Sequence, residues 1–177
     1  LAVNDGNSDN DFDGVNNQTV SVTTTDGDTA GFTVAESSGS TTVAETGSTD
    51  TFTVVLDKGP ADVVTISVSS GDTGEATVSL ATLSFSPTDW DTPQTVTVTG
   101  VDDSLIDGSQ TSTITLSIVD SLSVDDFDGL DDQTVSVTTT DDDTAGFTVA
   151  ESSGSTTVAE TGSTDTFTVV LDAEPTS

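Results

Sequence analysis

The chain contains no cysteine, histidine, methionine or tyrosine, and Lys58 is its single basic residue. Without cysteine no disulfide can brace the fold, and without histidine or cysteine the common Ser–His and Cys–His catalytic pairs cannot be assembled. The sequence has no apolar run of about 18 residues and no basic region near its start, so it predicts neither a membrane span nor a signal peptide in this stretch. We therefore expect a protein that is not an enzyme and does not insert into a membrane.

Acidic residues dominate the composition, with 32 Asp and Glu and a formal net charge of −31. A polyanion cannot neutralise phosphates and is repelled by anionic bilayers, so we expect cations or neutral surfaces as partners and no nucleic acid. Asp accounts for 26 of the 32 acids. Because Asp favours turns and supplies oxygen ligands to calcium loops, this skew favours metal sites on loops. Adaptation to high salt would instead spread acids over strand faces, which here carry Thr and Ser.

One segment of the chain occurs twice, 115 residues apart: residues 126–172 repeat residues 11–57 with four mismatches in 47 positions. The mismatches are Val15/Leu130, Asn16/Asp131, Asn17/Asp132 and Gly27/Asp142. Near-identical copies in series suit length and display better than a unique catalytic centre. We predict a complete repeat at 29–143, preceded at 1–28 by the C-terminal strands of one repeat and followed at 144–177 by the N-terminal strands of another.

Apolar residues alternate with Thr and Ser along most of the chain, which predicts half-buried antiparallel strands and no helix. We place the strands at 31–35, 42–44, 51–56, 63–69, 75–85, 94–99, 113–119 and 133–139. Their predicted inward-facing residues are Phe32, Val34, Val43, Phe52, Val54, Leu56, Val64, Ile66, Val68, Val78, Leu80, Leu83, Phe85, Val96, Val98, Ile114, Leu116, Ile118, Val135 and Val137. Seven or eight short strands in about 100 residues are typical of an immunoglobulin-like sandwich. The predicted fold class is all-β, as tandem immunoglobulin-like β-sandwich repeats of about 115 residues.

Four segments occur in a fixed order: TAGFTVAESSG, VAETGSTDTFTVVLD, SPTDWDTPQTVTVTGVDD and VSVTTTDDD. In that order they resemble the Calx-β-type repeats of very large bacterial surface proteins, including the repeats-in-toxin biofilm adhesins, and the resemblance spans essentially the whole chain. It implies a secreted, calcium-bound extender module on the bacterial cell surface that holds a distal adhesive domain away from the cell. The implied partners are the neighbouring repeats of the same chain, with other copies of the chain in a filament as a further option.

The acidic loops can be sorted by the end of the sandwich at which they lie. If the strands run up and down in order, one end collects Glu45, Asp72, Asp102, Asp103, Asp107, Asp141, Asp142 and Asp143. So many carboxylates in a small volume cannot all stay ionised without cations, and calcium takes six to eight oxygens from flexible loops. We therefore predict Ca²⁺ as the cofactor; the alternative is that these are solvated turns that discourage edge pairing.

The resemblance implies calcium ligands at Glu45, Asp103, Asp107 and 141–143. The flanking copies contribute further candidate metal ligands at Asp26, Asp28 and Glu160. The first copy has Gly27 where the second has Asp142, which removes one carboxylate from the first junction.

The opposite end of the domain collects Asp57, Asp62, Asp89, Asp91, Asp125, Asp126, Asp128, Asp131 and Asp132. We interpret these acids as turn formers with incidental cation contact, although they could also complete the cation shell of a junction or form a weaker site. Trp90 lies between Pro87 and Pro93, and we expect it to close this end of the sandwich instead of stacking on a sugar.

Three functions remain after these exclusions. The main prediction is a calcium-rigidified structural extender repeat of a secreted bacterial cell-surface or biofilm adhesin. The first alternative is a repeat subunit of an extracellular filament or surface layer. The second is a ligand-binding module of a secreted protein, against which the shortage of aromatic residues counts.

Overall fold

A computed structural model describes residues 4, 7, 10–12 and 15–175. The strands are β1 (Phe32–Glu36), β2 (Thr41–Ala44), β3 (Thr49–Leu56), β4 (Val64–Ser70), β5 (Ala76–Val78), β6 (Thr82–Phe85), β7 (Gln94–Gly100), β8 (Gln110–Ile118), β9 (Gln133–Thr140), β10 (Phe147–Glu151) and β11 (Phe167–Leu171). The described residues contain no α-helix, and their helical turns are the 3-10 turns Asn10–Phe12, Asp120–Leu122 and Asp125–Phe127. No helix in this part of the chain is long and apolar enough to cross a membrane.

Strands β1 to β9 form two sheets, ordered β1-β3-β7-β5 and β2-β9-β8-β4-β6. All neighbouring strands are antiparallel except β2 and β9, which run parallel with Thr41 opposite Val137. The chain changes sheets between β1 and β2, where Gly39 takes a φ of 78° in the turn. This arrangement is the predicted immunoglobulin-like sandwich. The successive strands β1 and β2 lie at the edges of the two different sheets.

The core lies between the two sheets and consists of the inward-facing residue of each alternating pair. Its buried apolar side chains are Phe32, Val43, Phe52, Val54, Leu56, Val64, Ile66, Val68, Ala76, Leu83, Phe85, Val96, Val98, Ile114, Leu116, Phe127, Val135 and Val137. Most of these residues were predicted to face inward, because a sheet that faces water on one side repeats its burial pattern every second residue. Three other predicted core residues, Val34, Val78 and Ile118, are only partly buried against this core.

The single strand predicted at 75–85 is wrong. The structure has β5 and β6 instead, and they belong to different sheets: β5 pairs with β7 and β6 pairs with β4. Leu80, predicted to be buried, lies between them and is 43% exposed. The apolar residues change parity between Leu80 and Leu83, and this change of face marks the point at which the chain crosses from one sheet to the other.

The flanking segments do not have an opposing sheet among the described residues. Strands β10 and β11 pair in the same register as β1 and β3, with Phe147 opposite Leu171, but all their residues are exposed. Residues 15–29 have no regular secondary structure and are all exposed. The sandwich itself occupies 32–140, inside the range 29–143 predicted for a complete repeat; the tandem arrangement stays a prediction.

Candidate metal centre

The position of Glu45 at one end of the sandwich is set by β2, β7 and β9. It follows β2, and its amide donates a hydrogen bond of 3.1 Å to the carbonyl of Thr140, the last residue of β9. The backbone of Ala44 lies directly against Gly100, where an added Cβ would come within 2.1 Å of the Ala44 carbonyl oxygen. Glycine at the end of β7 therefore permits a close approach that brings Glu45 beside the loop that follows Gly100.

Glu75 and the last residues of β9 complete the frame of this end. The Glu75 carbonyl accepts hydrogen bonds from the Val101 amide at 2.9 Å and from the Thr139 hydroxyl at 3.3 Å. The turns after β4, β7 and β9 thus meet at the same end as the turn after β2, as the up-and-down strand order predicts.

Two groups of three carboxylates form at this end. Oxygens of Glu45, Glu75 and Asp103 lie within 4.8 Å of one another, and so do oxygens of Glu45, Asp141 and Asp143. Glu45 belongs to both groups. An ion in either group would be held by carboxylate oxygens from sequence-distant segments, and oxygen ligands suit a hard cation such as Ca²⁺.

Several carboxylate oxygens of the two groups are buried without a hydrogen-bond partner among the described residues. Glu45 is 1% exposed, and both its carboxylate oxygens lack a partner among the described residues. One oxygen of Glu75 and one of Asp143 are also buried without a partner there. Buried polar atoms are nearly always hydrogen-bonded, and a buried unpaired carboxylate is costly, so these oxygens point to a ligand.

The same carboxylates resist ionisation. Burial, followed by repulsion from Asp103 and Asp141, raises the pKa of Glu45 from 4.5 to about 7. Burial is also the main cause that raises the pKa of Glu75 and of Asp143, with neighbouring Asp side chains adding to it. A divalent cation would offset both causes at once, because it supplies the opposite charge and replaces the lost hydration.

Backbone amides orient the acidic loops around the two groups. Asp103 Oδ1 accepts from the Leu105 amide at 2.6 Å. The carboxylate of Asp141 accepts from the Asp143 amide and, across the loop, from the Gly108 amide, both at 2.8 Å. These contacts fix the direction of the carboxylates before any ion is bound, which lowers the entropy cost of ligation.

Four of the predicted metal ligands are brought together in these groups: Glu45, Asp103, Asp141 and Asp143. Asp72, Asp102, Asp107 and Asp142 lie around them on the same loops and are exposed. Asp72 accepts a hydrogen bond of 2.9 Å from the Gly74 amide, as expected of a turn-forming Asp. The charges of Asp72 and Asp107 help raise the pKa of Glu75, and those of Asp102 and Asp142 help raise that of Asp143.

Sequence reasoning missed Glu75. Its signal was present, since Glu is rare in this chain and Glu75 immediately follows the GDTG turn on the acidic end. The alternation pattern predicts Glu75 as the first residue of a strand, whereas the strand begins one residue later at Ala76.

The candidate ligands of the flanking copies lie elsewhere. Asp28 forms an ion pair with Lys58, and Asp26 lies in the same cleft, at the end of the sandwich opposite the two carboxylate groups. Glu160 is exposed in the loop between β10 and β11.

A turn at this opposite end is braced by its own hydrogen bonds. Asp89 accepts hydrogen bonds from the amide and the hydroxyl of Ser86 at 2.5 and 2.8 Å, and these bonds lower its pKa. Trp90 packs against the core and lies over Gly59, in keeping with its expected structural role.

No protein-family model matches this chain, and no curated protein matches it. Among solved structures, the apo form of the Calx CBD1 domain is 19% identical over 63% of this chain and 98% of that domain, with a TM-score of 0.44. The calcium binding domain CBD12 of CALX1.1 is 17% identical over 63% of this chain and 45% of its own, with a TM-score of 0.43. Domains 4 and 5 of the S-layer protein SbsC are 27% identical over 61% of this chain and 44% of their own, with a TM-score of 0.39.

Proposed function

We propose that this chain is part of a calcium-stiffened extender, built from sandwich repeats, in a secreted bacterial cell-surface or biofilm adhesin. The observation that carries the proposal is Glu45: a buried carboxylate, without a hydrogen-bond partner among the described residues, that two groups of acidic oxygens share. Such an arrangement is unstable by itself and becomes favourable when a cation binds.

Calcium fits the donor set better than other biological cations. All candidate ligands are carboxylate oxygens, and the chain has no histidine or cysteine that would favour zinc. Magnesium requires a strict octahedral shell and retains water, whereas calcium accepts several carboxylates in irregular geometry. The loops after β2, β7 and β9 provide such an irregular set.

The position of the site connects ion binding to stiffness. Strand β9 ends at Thr140 and β10 begins at Phe147, so the whole connection between the sandwich and the next hairpin is 141–146. Two members of the carboxylate groups, Asp141 and Asp143, lie in that connection. Ions bound there would fix the joint as well as the end of the sandwich, and would convert a self-repelling string into a rod.

The adhesin context is supported by the repeated sequence and by the acidic, cysteine-free composition that suits a long extracellular stalk. A binding module would be expected to present a concave surface lined with aromatic residues, and this chain has only one Trp and no Tyr. The extender role requires only a long repeated chain and cations in the surrounding solution.

Two measurements test the proposal. Calcium that binds only the folded state adds about 2.7 kcal/mol of stability per site at a hundredfold excess over Kd, so the Tm should rise strongly with calcium. Scattering from a chain of several repeats should then give a rod in calcium, with roughly 40 Å per repeat from the strand lengths and loops, and a flexible string in chelator.

Identical melting curves with and without calcium would reject the metal site, and a compact particle in both conditions would reject the extender role. Assembly that depends on protein concentration would favour the filament alternative.

A further inference from the structure

The chain contains two exit segments, 26–28 and 141–143, at equivalent positions of the two copies. Their local geometry is the same. The Asp28 amide donates to Asp26 Oδ1 at 3.0 Å, and the Asp143 amide donates to Asp141 Oδ1 at 2.8 Å. Both segments thus form the same local turn, and the sequence difference between Gly27 and Asp142 lies inside it.

Each exit segment belongs to a joint with the loop that follows the third strand of the next copy. At the first joint, Lys58 in the loop after β3 forms an ion pair with Asp28. At the second, the equivalent loop follows β11, and the Glu174 amide donates to the carbonyl of Ser104 at 2.6 Å. Ser104 adjoins Asp103, so this loop contacts the acidic end of the sandwich directly.

The charged positions of the two joints differ in a matched way. Lys58 and Gly59 of the first joint correspond to Ala173 and Glu174 of the second. In the exit segments, Gly27 corresponds to Asp142. The first joint thus has a built-in ammonium group, whereas the second has no basic residue and two more carboxylates than the first, Asp142 and Glu174.

We propose that Lys58 is the built-in counter-cation of the first joint, so that segment 26–28 docks on the following sandwich without a divalent ion, whereas segment 141–143 requires one. This inference rests on the proposed function, since it assumes that calcium orders the second joint. It adds that the contact of an exit segment with the following repeat is of two kinds, one held by lysine whatever the calcium concentration and one controlled by calcium.

The physical difference between the two counter-ions predicts how each joint responds to solution conditions. A lysine ammonium is covalently attached, so its occupancy does not depend on calcium concentration. The Lys58 and Asp28 side chains are 40% and 54% exposed, so salt screens their attraction. The first joint should therefore loosen in high salt and should not respond to calcium. The second joint should become more rigid when calcium is added.

Spin-label distances on the full chain test the two responses, because the absence of cysteine allows introduced pairs to be labelled uniquely. Cysteines at the exposed positions Thr24 and Thr92 report on the first joint, and cysteines at Thr111 and Ser155 report on the second. The pair Thr92 and Thr111 lies within one sandwich and serves as the control for an intact fold. Trp90 fluorescence is a second measure of the fold. In chelator at low salt we expect a narrow distribution for the first pair and a broad one for the second, which calcium narrows.

Substitutions separate this inference from the proposed function. Lys58→Ala should abolish the narrow distribution of the first pair in chelator, and Lys58→Arg should retain it. The double change Asp142→Gly with Ala173→Lys copies the chemistry of the first joint into the second, and should narrow the second pair without calcium. A first pair that is broad in chelator with Lys58 intact, or unchanged by Lys58→Ala, overturns this inference alone. A second pair that calcium does not narrow overturns the proposed function.

Discussion

The Glu45 amide donates a hydrogen bond to the carbonyl of Thr140, one residue before the acidic exit begins at Asp141. This bond continues the parallel pairing of β2 with β9 beyond the last paired residues, Ala44 and Thr140. The parallel pair thus places a carboxylate from near the start of the sandwich beside those at its end. A site built in this way can form only after the whole sandwich has folded, so ion binding and folding should be coupled.

The first prediction concerns the sign of the effect of Glu45→Gln. In metal-free protein at pH 7 the substitution removes a buried charge that the fold disfavours, and we expect a gain of about 1–3 kcal/mol, since one pKa unit corresponds to about 1.4 kcal/mol. In calcium the same substitution removes a ligand that both groups share, so the calcium affinity should fall. Loss of a residue that only hydrogen-bonds to a metal ligand already costs about 10- to 100-fold, and we expect at least that much here. Urea unfolding and calorimetric titration measure the two effects. Destabilisation in both conditions would mean that Glu45 is merely a structural residue.

The second prediction concerns the pH dependence of the metal-free protein. Since the fold raises the pKa of Glu45 from 4.5 to about 7, it favours the protonated form. The associated stability is fully present below pH 4.5 and is lost as pH rises through about 7. The Tm of protein freed of metal by dialysis should therefore fall across that interval, and Glu45→Gln should flatten the decline. Calcium should oppose it, because it binds the ionised form; a metal-free Tm that rises over the same interval would contradict the assignment.

The third prediction tests the close approach that positions Glu45. Gly100→Ala would place a Cβ within 2.1 Å of the Ala44 carbonyl oxygen, and because Gly100 and Ala44 both lie on paired strands, neither backbone can move freely. Overpacking of this kind costs about 1–3 kcal/mol or more, and the displaced turn should also bind calcium more weakly. Gly27→Ala is the matched control, since nothing lies within 4 Å of its added Cβ. Equal unfolding midpoints for the two variants would show that the approach is not constrained.

The fourth prediction uses two phenylalanines at equivalent positions of the repeat. Phe127 is 2% exposed and belongs to the core of the sandwich, whereas Phe12 is 58% exposed. Phe127→Ala should cost about 3–5 kcal/mol of unfolding free energy, and Phe12→Ala should cost little in this chain. In a longer chain that supplies the preceding strands, both substitutions should be costly. If Phe12→Ala remained harmless there, residues 1–28 would not be the end of a preceding sandwich.

Much of the fold could be predicted because strand alternation has a period that the sequence displays directly. Phe52, Val54 and Leu56 are spaced by two and are all buried, as the pattern requires. The pattern failed at Leu80, where the chain leaves one sheet for the other, and at Phe127, which reaches the core from a 3-10 turn. Alternation carries no information about residues outside strands, so a core position on a turn stays invisible to it.

The candidate site was predicted less completely than the fold. Turn order correctly gathered Glu45, Asp103, Asp141 and Asp143 at one end. It did not distinguish them from Asp102 and Asp142, which lie on the same loops but point into solvent. Which carboxylate of an acidic run turns inward depends on backbone hydrogen bonds, such as that from the Leu105 amide to Asp103, and those follow from the folded loop.

The last prediction asks which carboxylate of the exit segment binds calcium. Asp143 has a buried, unpartnered oxygen and belongs to a carboxylate group with Glu45, whereas Asp142 is exposed and outside both groups. Asp143→Asn should therefore reduce calcium affinity about 10- to 100-fold. Asp142→Gly removes a nearby charge that attracts the ion, so it should weaken binding to a smaller extent, and the difference should shrink in high salt because exposed charges are screened. Asp89→Asn, at the opposite end, serves as the control and should leave affinity unchanged. Calorimetric titration decides among these outcomes: equal affinities for Asp143→Asn and the unaltered chain would reject the exit segment as part of the site, and a larger loss from Asp142→Gly would show that the exposed carboxylate turns inward when calcium binds.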